Sequence, residues 1–223
     1  MAFPDRRSSQ YVPQMPKDAI SSWVEAWPTE NPHITAARGR AAEVGVPSVD
    51  ATTGALLQVL AAASAAKAVV ELGTGAGVSS LYLLGGMPAD GILTSIDAES
   101  EHQRLAKQSL TDAGYGGSRA RLIAGRALEV LPKLSDGAYD VLFCDASREE
   151  NLNYPESGLR LLRPGGMVIF ASATADGRVA DPGARDHDTV SMRELLRAVK
   201  ENEDLTPALL PIGSGLLVAT TTS

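Results

Sequence analysis

Apolar positions in this chain recur at a helical period up to about residue 67, after which they gather into short runs. Between Lys17 and Pro28, the residues Ile20, Trp23, Val24 and Trp27 fall at i, i+3, i+4 and i+7, which predicts a helix carrying both tryptophans on one stripe. Two readings of that stripe stay open: it covers the chain's own core, or it faces a second copy, since a short leading helix has little else to pack on. Further helices are expected over 33–44 and over 51–66, where Leu56, Leu57 and Leu60 lie among alanines.

Beyond residue 67 the runs Ala68–Leu72, Ile92–Ile96, Ala120–Ile123, Tyr139–Cys144 and Met167–Phe170 read as strands, each brief, free of internal Pro and bounded by turn residues. Helical patterns separate them at Val78–Gly86, Ser100–Ala113, Ala127–Leu134 and Glu150–Leu162. This alternation predicts right-handed crossovers and a mainly parallel, doubly wound α/β sheet covered on both faces. A longer helix, about Thr189–Glu203, then precedes the runs Ala208–Ile212 and Leu216–Thr221, joined by Gly213-Ser214-Gly215 as in a hairpin. Seven strands ending in an antiparallel pair depart from the nicotinamide-binding order. The expected division is an N-terminal tail and helices over 1–46, contributing acceptor or dimer contacts, and a cofactor-binding domain over 47–223.

Composition narrows the function. With 223 residues, 44% hydrophobic and only 4% aromatic, the chain can build one aliphatic core. A net charge of -7 offers no broad basic surface, so nucleic acid is not the expected partner. Cys144 is the single cysteine and residues 1–16 are polar with three prolines, so neither an internal disulfide nor a secretory leader is expected. Charge, Gly or Pro interrupts every apolar run, so no membrane span is expected either. These features together suggest a reducing, cytoplasmic setting.

The strongest chemical signal is Val69-Val70-Glu71-Leu72-Gly73-Thr74-Gly75-Ala76-Gly77-Val78-Ser79, a strand that passes through an acidic residue into a glycine turn and opens a helix. Such a turn brings backbone N–H groups close to a ligand. Its G-x-G-x-G spacing differs from the G-x-G-x-x-G that seats a pyrophosphate, and with Glu71 it favours a cofactor bearing an amino acid moiety. Asp97 closes the next strand 20 residues after Gly77, where a carboxylate can accept hydrogen bonds from ribose hydroxyls; a helix N-cap is the alternative. Asp145 closes the fourth strand, so Glu71, Asp97 and Asp145 are expected around one crevice at the carboxyl edge. Cys144 reads as a core residue, and His33, His102 and His187 as surface positions without ligand spacing.

These blocks, with Ser95-Ile96-Asp97, Gly125-Arg126-Ala127-Leu128-Glu129-Val130-Leu131-Pro132, Leu162-Arg163-Pro164-Gly165-Gly166 and Asp176-Gly177-Arg178-Val179-Ala180-Asp181, resemble the class I O-methyltransferases that include the catechol and caffeoyl-coenzyme A enzymes. The resemblance runs from about Pro47 to the C-terminus. It implies a Rossmann-like methyltransferase fold in which Val49, Glu71, Gly73, Thr74, Gly75, Ser79 and Asp97 contact S-adenosylmethionine, Ala98 and Ala127 lie near the adenine, and Asp145 sits where methyl donor and acceptor meet. In the family's metal-dependent members that aspartate joins an Asp-Asn pair to bind a divalent cation, whereas the aligned pair here is Ala171-Ser172. The family's Asp-Ala-Asp-Lys stretch likewise reads Asp145-Ala146-Ser147-Arg148, replacing a lysine that can act as base with a group that stays protonated.

The expectation is therefore an S-adenosylmethionine-dependent O-methyltransferase of small hydroxyl compounds, phenolic or otherwise, acting as a homodimer with weak metal binding or none. Asp145 is the candidate base and Arg148 the candidate partner of a phenolate or acidic acceptor. The rivals are a cofactor-binding protein with a degenerate catalytic site, a nicotinamide oxidoreductase, and a nucleic-acid or protein methyltransferase, the last lacking any basic patch or Asn-Pro-Pro-Tyr-like motif here.

Overall fold

The computed structural model describes residues 17–146 and 148–222. The stretch 1–16, read above as a tail, lies outside the described residues, as does Ser147; of Lys17, Asp18, Arg148 and Glu149 only the backbone is described.

Three helices lead the chain: α1 (Lys17–Glu25), α2 (Pro32–Glu43) and α3 (Ala51–Ala63). The alternating part follows as β1 (Ala68–Leu72), α4 (Val78–Gly86), β2 (Ile92–Asp97), α5 (Ser100–Asp112), β3 (Ala120–Ala124), α6 (Ala127–Val130), β4 (Tyr139–Cys144), α7 (Tyr154–Leu161) and β5 (Leu162–Phe170). It ends in α8 (His187–Glu201), β6 (Leu205–Leu210) and β7 (Leu216–Thr221). The strands form one seven-stranded sheet in the order β3-β2-β1-β4-β5-β7-β6, with β1 to β5 parallel and β7 antiparallel to both of its neighbours. The strand order reverses between β1 and β4, the position at which open α/β sheets leave a crevice.

Alternation along each strand divides the core. Val69, Val141, Phe143 and Ile169 pack with Leu57, Ala61 and Leu81 on the face covered by α3 and α4. The intervening Val70, Leu142, Val168 and Phe170 pack with Tyr154, Leu161, Met192 and Leu195 on the face covered by α7 and α8. Burial of both faces explains why these strands read as continuous apolar runs. Ile34 and Ala37 of α2 belong to the first of these cores, so α2 packs into the same core as the strands.

Side-chain caps fix where the site-bearing helices begin. Asn31 accepts from the backbone N–H groups of His33 and Ile34 at the start of α2, and Pro32 occupies its first turn. Asp50 accepts from Thr53 N and Thr53 Oγ1 at 2.9 and 2.6 Å, starting α3 beside the sheet edge. Glu30, at the mouth of α2, is bound by Arg38 and by the Tyr82 hydroxyl at 2.8 Å, and Arg38 Nη1 also donates to the Val49 carbonyl at 2.7 Å. That network ties the leading helices to the segment that borders the crevice.

Several expected boundaries shift. The helix expected over Glu150–Leu162 divides into a 3-10 turn, Arg148–Asn153, and α7, because Pro155 near the α7 start supports a fresh initiation. Strand β5 starts at Leu162, five residues early, with a register irregularity against β4 between Tyr139 and Val141 that absorbs Pro164-Gly165-Gly166. Strand β6 covers Leu205–Leu210 instead of Ala208–Ile212; it includes Pro207, which an edge strand tolerates. The stripe of α1 does not cover the chain's own core: Trp23 and Trp27 are 64% and 71% exposed, their rings 5.2 Å apart. Among the described residues no helix is long and apolar enough to cross a membrane.

Candidate functional site

The strand tips are stitched together by backbone. Gly73 N donates to the Ile96 carbonyl and Asp145 N to the Leu72 carbonyl, at 2.9 and 2.8 Å, so the ends of β1, β2 and β4 are held in one row. Gly73 has a φ of +91°, and a Cβ there would stand 2.3 Å from the Asp145 carbonyl oxygen. Only glycine allows the β1 turn to pass this close to the β4 tip. Gly77, at φ +88° and with Ala106 of α5 3.2 Å from where a Cβ would be, starts α4.

Above this row lies a hollow of about 500 Å³ bordered by Val49, Gly73, Thr74, Gly75, Ser79, Asp97, Ala98, Ala127 and Asp145, all picked out in the sequence. Asp97 Oδ2 accepts from Gly75 N at 2.9 Å and Oδ1 from Glu99 N at 2.9 Å, so the carboxylate is oriented by the backbone on both sides. Thr74 Oγ1 is 2.6 Å from Ser95 Oγ and accepts from Gln103 Nε2 at 3.1 Å, which pins the turn to β2 and α5.

Glu71 departs from expectation, because it does not border the hollow. It alternates with Val70 and Leu72 and so points to the face that α4 covers, where it is fully buried. Ser80 of α4 and Ser95 of β2 donate to the same carboxylate oxygen, the latter at 2.5 Å. Burial raises its carboxyl above the usual range, against the lowering effect of the Ser79, Ser80 and Ser95 hydroxyls. Its place is beneath the turn, joining strand to helix. Asp97 and Asp145 meet at the hollow as expected; Glu71 is the exception.

His102, expected at the surface, borders the hollow, and its Nδ1 lies 3.2 Å from both Asp97 oxygens. The missed signal was position: five residues beyond Asp97, the first turn of α5 returns to the sheet edge. His33 and His187 are exposed. Glu150 also borders the hollow, accepting from Arg126 Nη2 at 2.7 Å and from the Tyr154 hydroxyl at 2.9 Å. Cys144 is buried, and desolvation followed by the Asp145 charge raises its thiol well above the usual range. It is a core residue, as read from the sequence. The backbone of Arg148 opens the 3-10 turn after β4.

A second hollow, about 430 Å³, adjoins the first and shares Pro47, Ser48, Val49, Asp145 and Ala146 with it. Its far side is formed by Asp50 and Thr53 of the α3 cap, Asn151, Ala171, Ser172 and the β6–β7 turn at Gly213 and Ser214. Ala171 carries no donor atom and Ser172 only a neutral hydroxyl, so with Asp145 they make a poor set for an octahedral hard cation. Among the described residues no three His, Cys, Asp or Glu side chains are grouped to hold a metal ion.

The family model described as O-methyltransferase matches residues 34–222. A Mycobacterium marinum protein that carries an O-methyltransferase name is 49% identical over 202 residues, covering 91% of this chain and 90% of its own. A solved Corynebacterium glutamicum protein superposes with a TM-score of 0.85 at 34% identity, over 92% of this chain and 97% of that one. An O-methyltransferase of Streptomyces achromogenes involved in tomaymycin synthesis, solved in complex with S-adenosylmethionine, gives 0.83 at 27% identity, over 92% and 96% of the two chains.

Proposed function

The chain belongs to the O-methyltransferase family, and from that premise we propose how its two hollows divide the reaction. The protein is an S-adenosylmethionine-dependent O-methyltransferase with a small-molecule acceptor. In our reading the first hollow takes the cofactor and the second the acceptor. The observation that carries this is their common wall at Asp145, the tip of β4, because in-line displacement requires donor and acceptor to touch.

The bound cofactor supplies a methyl group already activated on a sulfonium centre. What remains for the chain is to bind, align and remove one proton. The Asp97 carboxylate, oriented by Gly75 N and Glu99 N, accepts from the ribose hydroxyls. Gly73, Thr74, Gly75 and Ser79 hold the amino acid end, Ala98 and Ala127 flank the base, and Val49 closes the near side. Glu71 supports the turn through Ser80 and Ser95 without touching the cofactor. In this reading Asp145 receives the acceptor's proton and Arg148 is the candidate electrostatic partner of the oxygen anion.

The donor set at Asp145, Ala171 and Ser172 does not fit a resident divalent cation, so no step is assigned to one. A dimer formed through the exposed Trp23–Trp27 stripe, a boundary between helical and cofactor-binding parts near residue 46, and a cytoplasmic location complete the reading.

The test is calorimetric titration with S-adenosylmethionine, S-adenosylhomocysteine and NAD, then detection of S-adenosylhomocysteine after incubation with hydroxyl acceptors in the presence of a chelator. Binding of both sulfur nucleosides with chelator-resistant turnover is expected. Binding of NAD alone, or turnover abolished by chelation and restored by Mg²⁺, would overturn the corresponding part.

A further inference from the structure

The strand tips under the first hollow run in the order β3, β2, β1, β4, and Gly125, Asp97, Gly73 and Asp145 at those tips all border it. Gly125 N donates to the Asp97 carbonyl at 2.9 Å, which ties the β3 tip into the same row. Two strands separate the ends of this row, a span of about 14 Å at ordinary strand spacing. The segments leaving the two ends nonetheless meet. Arg126, directly after Gly125, donates through Nη2 to Glu150 Oε1 at 2.7 Å, and both residues border the hollow. The ion pair thus joins the two ends of the row and closes the rim.

The two partners are held very differently. Glu150 is anchored: its side chain is 16% exposed, its Oε2 accepts from the hydroxyl of fully buried Tyr154 at 2.9 Å, and its carbonyl accepts from Asn153 Nδ2 at 3.4 Å. The Arg126 side chain is 67% exposed, while its backbone is fixed at the start of α6, where Glu129 N donates to the Arg126 carbonyl at 3.0 Å. An ion pair with one partner in water is weakly held, because hydration competes with it and salt screens it. Opening it takes a change of arginine rotamer and no rearrangement of the fold.

Resting on the assignment of this hollow to S-adenosylmethionine, we propose that Arg126 is a swinging latch on the cofactor hollow and Glu150 its catch, so that the pair sets how fast cofactor enters and demethylated product leaves. Both partners belong to the chain, so the pair closes over a full or an empty hollow alike. Such a latch slows entry and release by the same factor, the fraction of time spent open, and leaves affinity where it was. A contact made to the nucleoside itself would act mainly on release.

Surface plasmon resonance on the immobilised full chain reads both rates for S-adenosylhomocysteine. Arg126→Ala, a change at an exposed position, should raise association and release together by about fivefold, the ratio an exposed ion pair supports, with Kd within about twofold of wild type. Glu150→Gln should do the same, and the double variant should be no faster than either single one, since both act on one pair. Raising NaCl from about 0.05 M to about 0.5 M should speed exchange in wild type and leave Arg126→Ala unchanged, because the product nucleoside carries no net charge for salt to act on. Unaltered rates in Arg126→Ala, a weaker Kd carried by release alone, or additive effects in the double variant would overturn the latch. Wild type that binds no S-adenosylhomocysteine would overturn the assignment of the hollow instead.

Discussion

The two hollows share a wall but are built from different parts of the chain. The first is made of strand tips and a glycine turn, held by backbone bonds such as Gly73 N to Ile96 O and Asp145 N to Leu72 O. The second is closed by side chains from a helix cap, a 3-10 turn and a hairpin turn that meet only once the whole sheet has formed. A hollow made of backbone has little freedom to vary, while one made of loop side chains can be refitted without disturbing the sheet. If the first hollow takes the cofactor and the second the acceptor, as proposed, the cofactor side is fixed and the acceptor side adjustable, and each can be broken separately.

The largest effect should come from Gly73, where backbone and hollow are the same thing. A Cβ there would lie 2.3 Å from the Asp145 carbonyl, so Gly73→Val forces β1 and β4 apart at the shared wall. Both functions should fail together: turnover should fall about 100-fold or more, since a displacement near 1 Å is enough for that. Calorimetry with S-adenosylhomocysteine should show the loss of affinity alongside it, and a variant that retains wild-type binding would show the close approach to be dispensable. Asp97→Ala should come next, weakening S-adenosylhomocysteine binding about tenfold to 100-fold, the loss expected for hydrogen bonds to a charged group. Unlike Gly73→Val, it should leave the acceptor KM near wild type at saturating cofactor.

The same contrast explains what could be read in the sequence. The alternation of short apolar runs with helical patterns gave the sheet, because strands buried on both faces must be apolar throughout, and most residues bordering the first hollow followed because the glycine turn and Asp97 sit at fixed positions on strand tips. Glu71 was misplaced for a reason equally physical: its distance from the turn is local information, but its direction depends on strand parity and on Ser80 packing over it. His102 was missed because a histidine on a helix looks like any exposed one until α5 is laid against β2. The place of Asn151 beside the second hollow could not have been found, since that wall joins it to residues about 100 positions earlier and about 60 later. Pro207 misled the placement of β6 because edge position, which makes Pro harmless, is a property of the assembled sheet.

His102 sharpens the boundary of the cofactor side. Its Nδ1 lies 3.2 Å from both Asp97 oxygens, and both residues border the first hollow. His102→Ala should change S-adenosylhomocysteine affinity by about twofold to tenfold, the range of one exchangeable hydrogen bond, and leave the melting temperature almost unaltered. Equal affinity in wild type and variant would place the imidazole outside the binding event.

The smallest effect concerns the shared wall from behind. Glu30 holds Arg38, which in turn donates to the Val49 carbonyl at 2.7 Å, so this pair positions a residue common to both hollows. The Arg38 hydrogen bond is the main reason the Glu30 carboxyl lies below its ordinary value of 4.5, with burial opposing and the Tyr82 hydroxyl assisting. A carboxyl lowered in the folded state contributes stability above the ordinary value, and that contribution is lost as pH falls through the lowered one. Arg38 and Glu30 side chains are 31% and 15% exposed, so solvent screening keeps the contribution near 1 kcal/mol. Glu30→Gln should therefore melt about 2–4 °C below wild type at neutral pH. The gap should narrow as the pH is taken below 4.5, because the wild-type carboxyl then becomes protonated and resembles the amide. A gap that stays constant from pH 7 to pH 3 would mean that the pair acts through packing alone, and a gap that widens would reverse the sign of the argument.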